Sequence, residues 1–526
     1  MKTLKFILIL VLSVAQLTVF AQREHVGTVK NVIIMIPDGT STGLVALSRW
    51  YNDNNPLAID PYICGMVRTH NSDGRFPDSA PTSTAYATGV KTKAPYIGID
   101  CNAEPRASVL ELARRKGLST GVVVTCEFPH ATPADFVCHY NNRESGEYKN
   151  LAKQFIYNSP TLVFAGGKKY IDKNHYQNLL GLNGIELITD TTDFNRINKL
   201  PQQGKSSWAL FPDRNGLTEA MSYECDRDAA KAPGLSEITA KAIEVLEQNK
   251  NGFFLMVEGS QVDWAAHKND PYAAVNEFLE FDKAVAVAIK FAKETKNTVV
   301  IVCPDHGTGG ISIGNLYSGS NLDIKEKIID PLKKVRWSSR RLAETMLKDP
   351  AYMSKDSLKA YYNTDPAEGF LDSLNYAAKK NDADALQYLI GENFSRKNFI
   401  GWTTTGHTAE DVFLAIYAPE PIQKITGVID NYEIGRYIAK ILNLGDLDKA
   451  TEELFKKYTT FFNDNEIISL NPDSLVVTKN GKRLTFESNS NVLKINGEKQ
   501  EIRLPSITVW IDGVYYLPES IKYYFK

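Results

Sequence analysis

Short, near-continuous apolar runs recur along the chain, separated by longer stretches in which apolar residues return at helical intervals. Asn31 to Pro37 reads Asn-Val-Ile-Ile-Met-Ile-Pro and stops at Asp38-Gly39, and Gly121 to Thr125 and Asn297 to Cys303 repeat the pattern. A run without polar alternation fits a strand that meets water on neither face. Ala107 to Lys116, Ser236 to Gln248 and Pro271 to Lys293 carry the helical spacing between them. Strands alternating with helices predict an α/β fold, a central, mostly parallel sheet flanked by helices on both faces. In such a sheet ligands bind beyond the carboxyl ends of the strands, where Asp38 and Asp305-His306 fall.

Two regions depart from that pattern. Asn315 to Phe399 is basic, aromatic and helix-like, with Trp337-Ser338-Ser339-Arg340-Arg341 inside it. It reads as a helical insertion, 315–399, serving packing, an oligomer contact or a lid. Helical patterning returns from Asn431 to Phe462. Beyond it, short alternating runs are broken by Asn480-Gly481, Asn496-Gly497 and Asp512-Gly513, each suited to a tight hairpin. A small C-terminal β module, 464–526, is expected there, carrying no catalytic cluster.

The opening Met1-Lys2-Thr3-Leu4-Lys5, the apolar run Phe6 to Phe20 and then Ala21-Gln22 read as a secretory signal peptide, residues 1–21. Export to the periplasm, the medium or the cell surface follows. The run is short for a membrane span, and no later segment suits one, so no transmembrane span is expected. Residues 22–463 then form one large domain, and the 526-residue chain, 43% hydrophobic and 23% charged, has material for its core. The net charge of −2 becomes more negative when Lys2 and Lys5 leave with the signal, which argues against nucleic acid as a partner. The cysteines Cys64, Cys101, Cys126, Cys138, Cys225 and Cys303 show no metal-ligand spacing. Cys126 and Cys303, in apolar runs, are expected as buried thiols, and disulfide pairing stays open.

Chemistry gathers elsewhere. Pro77 to Gly89 reads as a loop entering a helix, with Pro81 suited to its first turn. Ser79 at that start could cap the helix, hold a phosphate, or act as a nucleophile. Asp263 and His267 are four residues apart and share a helix face, a spacing that suits one metal ion or an ordinary polar pair. Glu258 ends the apolar run Gly252 to Val257. Asp305-His306 follows a buried strand, where two ionisable groups are costly without a cation or ion pair. Thr405-Gly406-His407-Thr408 adds an imidazole. Mixed carboxylate and imidazole donors suit zinc, and carboxylate with hydroxyl and water suits magnesium. Two such ions side by side would clamp both oxygens of an in-line phosphoryl transfer.

In order, these motifs resemble those of bacterial alkaline phosphatases over Val29 to Gly314 and Gly401 to Leu444. The resemblance rests on Asp78-Ser79-Ala80 with Thr84-Ala85 and Thr88-Gly89-Val90-Lys91-Thr92, and on His130-Ala131-Thr132-Pro133 with Arg143. Glu258-Gly259-Ser260-Gln261-Val262-Asp263, His267, Asp305-His306 and Gly406-His407-Thr408 complete it. It implies an alkaline phosphatase-like catalytic domain over 22–463 and a phosphomonoesterase acting on small phosphate monoesters. One zinc would be held by Asp263, His267 and His407, the other by Asp38, Asp305 and His306. A third site, normally magnesium, would use Asp38, Thr132 and Glu258, and Arg143 would grip two phosphate oxygens. The implied mechanism is attack on phosphorus by Ser79, its hydroxyl acidified by zinc, then hydrolysis of the phosphoserine, with inversion at each step. An alkaline optimum is expected because the attacking oxygen is deprotonated.

The chain departs from the enterobacterial pattern at His130 and Trp264, which stand where an acidic residue and a lysine are usual. The first departure opens the third site to cobalt or zinc, and the second removes a cation beside the phosphate. Pro81, Thr82 and Ser83 are bulkier than usual after the serine, but a helix start tolerates proline. A phosphodiesterase of the same superfamily, or an exported phosphate- or metal-binding protein without turnover, remains an alternative. A sulfatase would need a modifiable Cys-x-Pro-x-Arg type motif, which Asp78 to Ser83 lacks. Thr132, Glu258 and Arg143 favour monoesters over diesters. The physiological ester is left open, and a homodimer stays open beside a monomer.

Overall fold

The computed structural model describes residues 27–171, 176–211, 219–496 and 500–525; the expected signal peptide, 1–21, lies outside them. Its main sheet uses β1 (Asn31–Pro37), β2 (Ile63–Arg68), β3 (Ser119–Glu127), β4 (Leu162–Gly166), β5 (Ile185–Ile188), β6 (Ser206–Leu210), β7 (Phe253–Gly259) and β8 (Thr298–Val302). Val412–Tyr417 and Gly427–Asp430 complete it. Among the described residues these ten strands run in the order Gly427–Asp430, β2, Val412–Tyr417, β8, β1, β7, β3, β4, β6, β5. Val412–Tyr417 runs antiparallel to both its neighbours, and the other pairings are parallel.

β1 occupies the predicted residues and shows why its sequence lacks alternation. Val32, Ile34 and Ile36 enter one core with Tyr86, Leu110, Phe155 and Ile438. Ile33 and Met35 enter the opposite core with Leu47, Ile238, Phe278 and Val285. Both faces are therefore covered by helices, and every residue of the strand is buried. The expected strand at Gly121 to Thr125 extends to Ser119–Glu127, and the expected helices settle at Val109–Arg115, Leu235–Leu246 and Pro271–Thr295. The last begins where Asp270 accepts from the backbone N–H groups of Tyr272 and Ala273, with Pro271 in its first turn.

The insertion is helical, with helices Ser339–Lys348, Lys355–Tyr362, Phe370–Lys379 and Ala383–Lys397. Leu342, Met346, Tyr362, Ile390 and Phe394 share the core of β1's Ile33. Asp270 also fastens it, accepting from Tyr362 Oη at 2.6 Å and from Ser339 N at 2.7 Å. Its two ends are paired strands, Ser312–Ile313 running antiparallel to Ile400–Gly401.

The helical pattern expected over Asn431 to Phe462 resolves into helices Asn431–Ile441 and Leu447–Leu454, after which Lys456–Lys457 joins a second sheet. That sheet is antiparallel, in the order Lys456–Lys457, Val514–Leu517, Gln500–Ile511, Ser490–Ile495, Lys482–Glu487, Ser474–Lys479, Ile467–Leu470. Asn480-Gly481 and Asp512-Gly513 turn its hairpins with positive φ at both residues, as a two-residue primed turn requires. Gly497, of the third expected turn, lies outside the described residues. The six cysteines are free, with Cys126 and Cys303 buried. Among the described residues no helix is long and apolar enough to cross a membrane.

Candidate active site

The carboxyl ends of four adjacent parallel strands deliver the predicted residues. Asp38 follows β1, Glu258 lies near the end of β7, Asp305-His306 follow β8, and His130 and Thr132 follow β3. The helix Gln261–His267 springs from β7 and brings Asp263 and His267. His407 arrives from far along the chain because His407–Thr408 pairs antiparallel with Gly307–Thr308, next to His306. Gly39 permits the convergence: its φ is +65°, and an added Cβ would lie 2.6 Å from Asp263 Oδ1 and 2.7 Å from Thr308 Oγ1. Its N–H donates to Asp305 Oδ1 at 3.1 Å.

Ser79 is the first residue of the helix Ser79–Thr88, which continues through Pro81 as expected. Asp78, not Ser79, occupies the cap position. The Ser79 hydroxyl is free of capping and lies 3.3 Å from His306 Nε2, at the positive end of the helix dipole.

Around it stand two groups of potential ligands, Asp38 with Asp305 and His306, and Asp263 with His306 and His407, each with donor atoms within 4.8 Å of one another. His306 Nε2 is 3.3 Å from Asp305 Oδ2 and 3.6 Å from Asp38 Oδ1. His407 Nε2 is 3.7 Å from Asp263 Oδ1. The expected grouping placed His267 with Asp263 and His407. His267 Nε2 does reach Asp263 Oδ2 at 3.2 Å, and its ring lies 5.0 Å from that of His407, yet His306 is the third member of the tight group.

Each imidazole is oriented by a carbonyl, which can only accept. His306 Nδ1 donates to Gly307 O at 3.3 Å, His407 Nδ1 to Pro77 O at 3.0 Å, and His267 Nδ1 to Thr405 O. With Nδ1 as the donor, a neutral His306 or His407 leaves its Nε2 lone pair facing the centre, the form in which imidazole binds a metal. Burial would lower His267, but Asp263, 3.2 Å from its Nε2, outweighs burial and pushes the imidazole up to about 9. Both carboxylate oxygens of Asp38, Oδ2 of Asp305 and Oε1 of Glu258 are buried without a hydrogen-bond partner among the described residues. Buried, unpaired carboxylates clustered this closely fit divalent cations.

The electrostatics agree. Burial, then the charges of Asp305, Asp263 and Glu258, raise the Asp38 carboxyl well above the usual range. Burial also pushes Glu258 up to about 8, a rise that the Ser260 and Thr132 hydroxyls oppose and Asp305 reinforces. Burial acts to raise Asp263, but His267, His407 and His306 outweigh it and hold the carboxyl well below the usual range. Burial and the neighbouring His306 push His407 down to about 4.

Arg143 donates to Asp78, and its other terminal nitrogen lies 3.4 Å from His130 Nε2. Burial would lower the guanidinium, but Asp78 more than compensates. His130, pushed down to about 3 by burial and then by Arg143, is a neutral imidazole. Because Arg143 can only donate, Nε2 of His130 is the acceptor and Nδ1 carries the proton. Trp264 packs beside it, with rings 5.8 Å apart.

Three neighbours were not anticipated from the sequence. Asp78 holds Arg143, and its adjacency to Ser79 was the available signal. Thr308 donates to Asp263 Oδ1 at 2.5 Å, two residues beyond His306. Arg340, from the insertion, donates to Gln261 Oε1 at 2.9 Å and stacks over Tyr223 at 3.7 Å and towards Trp264 at 5.6 Å. The run Trp337 to Arg341 stands out in the sequence, but nothing in it marks Arg340 as a neighbour of Gln261 and Trp264.

The family model described as Alkaline phosphatase matches residues 29–444. Alkaline phosphatase 4 of Bacillus subtilis is 35% identical over 443 residues, which covers 81% of this chain and 91% of that one. Among solved structures, a cold-active alkaline phosphatase from a psychrophilic Shewanella superposes with a TM-score of 0.69 at 27% identity, covering 78% of this chain and 99% of that chain. A histidine-to-glutamate mutant of the TAB5 alkaline phosphatase, from an Antarctic bacterium, has Mg bound in its M3 site. It superposes with a TM-score of 0.58 at 25% identity, covering 80% of this chain and 99% of that chain.

Proposed function

The chain belongs to the alkaline phosphatase family and is a phosphatase, and we propose that it hydrolyses small phosphate monoesters through a phosphoserine formed at Ser79. The observation that carries the reading is the Ser79 hydroxyl 3.3 Å from His306 Nε2, at the edge of two carboxylate and imidazole groups. Asp38, Asp305 and His306 would hold one zinc, and Asp263, His267 and His407 the other. Asp38, Thr132 and Glu258 would hold a third ion, magnesium, with cobalt or zinc as competitors beside the neutral His130. Bound there, the cations supply positive charge that favours the serine alkoxide and balances charge on the departing oxygen.

The chain's own groups do the rest. Arg143 offers a planar fork to two phosphoryl oxygens, and Asp78 and His130 hold that fork in place. Ser79 Oγ attacks phosphorus as the bond to the leaving oxygen breaks, and the alcohol departs with a proton. Water then cleaves the phosphoserine, releasing phosphate and returning a proton to Ser79. The bond from His407 to Pro77 O ties that imidazole to the segment leading into Ser79.

The charged-then-apolar pattern of residues 1–21 supports export to the periplasm or beyond. The β module is read as a stabilising appendage: its Ser488 and Asn489 bond Lys153 and Gln154 of the catalytic domain at 2.8 Å each. Hydrolysis of 4-nitrophenyl phosphate, abolished by Ser79→Ala with metal content retained, tests the proposal. Equal rates on bis(4-nitrophenyl) phosphate would instead indicate a diesterase, and metal and phosphate binding without turnover a binding protein.

A further inference from the structure

In an in-line displacement the leaving group departs on the side of phosphorus opposite the nucleophile. Three imidazoles grade from the serine to the surface here. Ser79 Oγ lies 3.3 Å from His306, the His306 ring stacks on His407 with centroids 3.8 Å apart, and His267 lies 5.0 Å from His407. His306 is buried whereas His407 and His267 are partly exposed, so a leaving group that departs from Ser79 and must reach solvent passes His407 and His267.

Those two rings form part of the wall of a recess of about 620 Å³, with Phe76, Pro77, Thr403 and Thr404. That is the size of a small-molecule site. Phe76 is 66% exposed and lines this recess. Its position is not that of a free loop tip, because the next residue, Pro77, accepts from His407 Nδ1 at 3.0 Å and Ser79 opens the helix two residues later. The backbone that carries this apolar ring is thus anchored beside both Ser79 and His407. Covering the ring would remove apolar surface from water and add ring stacking.

We infer that this recess is the leaving-group subsite, that it favours monoesters whose departing alcohol carries a planar aromatic ring, and that Phe76 sets the preference by stacking on that ring. The inference rests on the phosphomonoesterase reading and adds the class of ester to it.

The test compares 2-phenylethyl phosphate with n-propyl phosphate, whose departing alcohols have similar basicity, so the ratio of their kcat/KM values reports contact with the ring. The metal-loaded full chain should favour the phenyl ester by about tenfold, the worth of one stacked and buried ring. Phe76→Ala should bring the ratio close to unity and Phe76→Trp should keep it. Each ratio is taken within one preparation, so folded fraction and metal loading cancel. A wild-type ratio near unity, or a preference that survives Phe76→Ala within about twofold, overturns the inference while leaving the phosphatase reading intact. Turnover of neither ester overturns both.

Discussion

The Ser79 hydroxyl is 3.3 Å from His306 Nε2, a contact between residues separated by 227 positions. His306 also belongs to both groups of potential ligands, so one ring links Ser79, the proposed nucleophile, to the two clusters. His306→Ala should lower zinc affinity by more than the roughly 10–100-fold that loss of a ligand's hydrogen-bond partner costs. Equilibrium dialysis with metal analysis reads it, and unchanged zinc content would remove His306 from the ligand set.

Arg143 is a partly buried cation fixed by Asp78, the residue before Ser79, and by His130. Arg143→Ala should raise the inhibition constant of inorganic phosphate roughly 10–100-fold, the worth of one or two charged hydrogen bonds. Competitive inhibition assays decide this, and a constant unmoved by the change would place the phosphate elsewhere.

Trp264 stands between His130 and Arg340 with no charge of its own. Trp264→Lys should tighten phosphate inhibition by up to about fivefold, the worth of a partly exposed ion pair. An identical inhibition constant would leave Trp264 with packing alone.

The unpartnered oxygens of Asp38, Asp305 and Glu258 predict that cation binding stabilises the fold. Prolonged chelation should lower the unfolding free energy by about 4 kcal/mol relative to protein with zinc at a thousandfold excess over its dissociation constant. Thermal melts with and without added zinc measure it; coincident melts would contradict the ligand assignment.

Away from the site, burial pushes Glu277 up to about 8, a rise that the Glu224 backbone N–H opposes. A carboxyl whose folded pKa lies above its unfolded value contributes stability that is fully present below the unfolded value, near 4.5, and is lost as pH rises through the folded one. Glu277→Gln mimics the neutral form. It should therefore match the wild type near pH 4 and gain on the order of 1–3 kcal/mol by pH 9, the scale of an imperfectly satisfied buried group. Denaturant unfolding at the two pH values checks the sign; a gain confined to the acid side would reverse it.

How much of this was readable from the chain follows from distance along it. The bounds of β1 were legible because its alternate residues meet two separate apolar cores, and Asp263 with His267 because four residues return to one helix face. The insertion of Val412–Tyr417 between β2 and β8, against the direction of both, leaves no local trace, since pairing order is settled by contacts hundreds of residues apart. Whether Ser79 capped its helix could not be decided from residue type, and was decided by Asp78 taking the cap position. The partners of Arg340 were invisible for the same reason as the strand order, since Gln261, Tyr223 and Trp264 lie far away in sequence.

The antiparallel pairing of Ser312–Ile313 with Ile400–Gly401 brings the two ends of residues 314–399 side by side. That makes the joint a graft point: the chain between can lengthen, shorten or be exchanged for a small entropic cost of loop closure, while His306 and His407 keep their places on either flank. What such an exchange would forfeit is the apolar packing of the insertion's helices, the bonds of Tyr362 and Ser339 to Asp270, and the strut of Arg340 on the helix bearing Asp263 and His267. Relatives could therefore acquire new surfaces beside the catalytic mouth without redesigning the chemistry inside it.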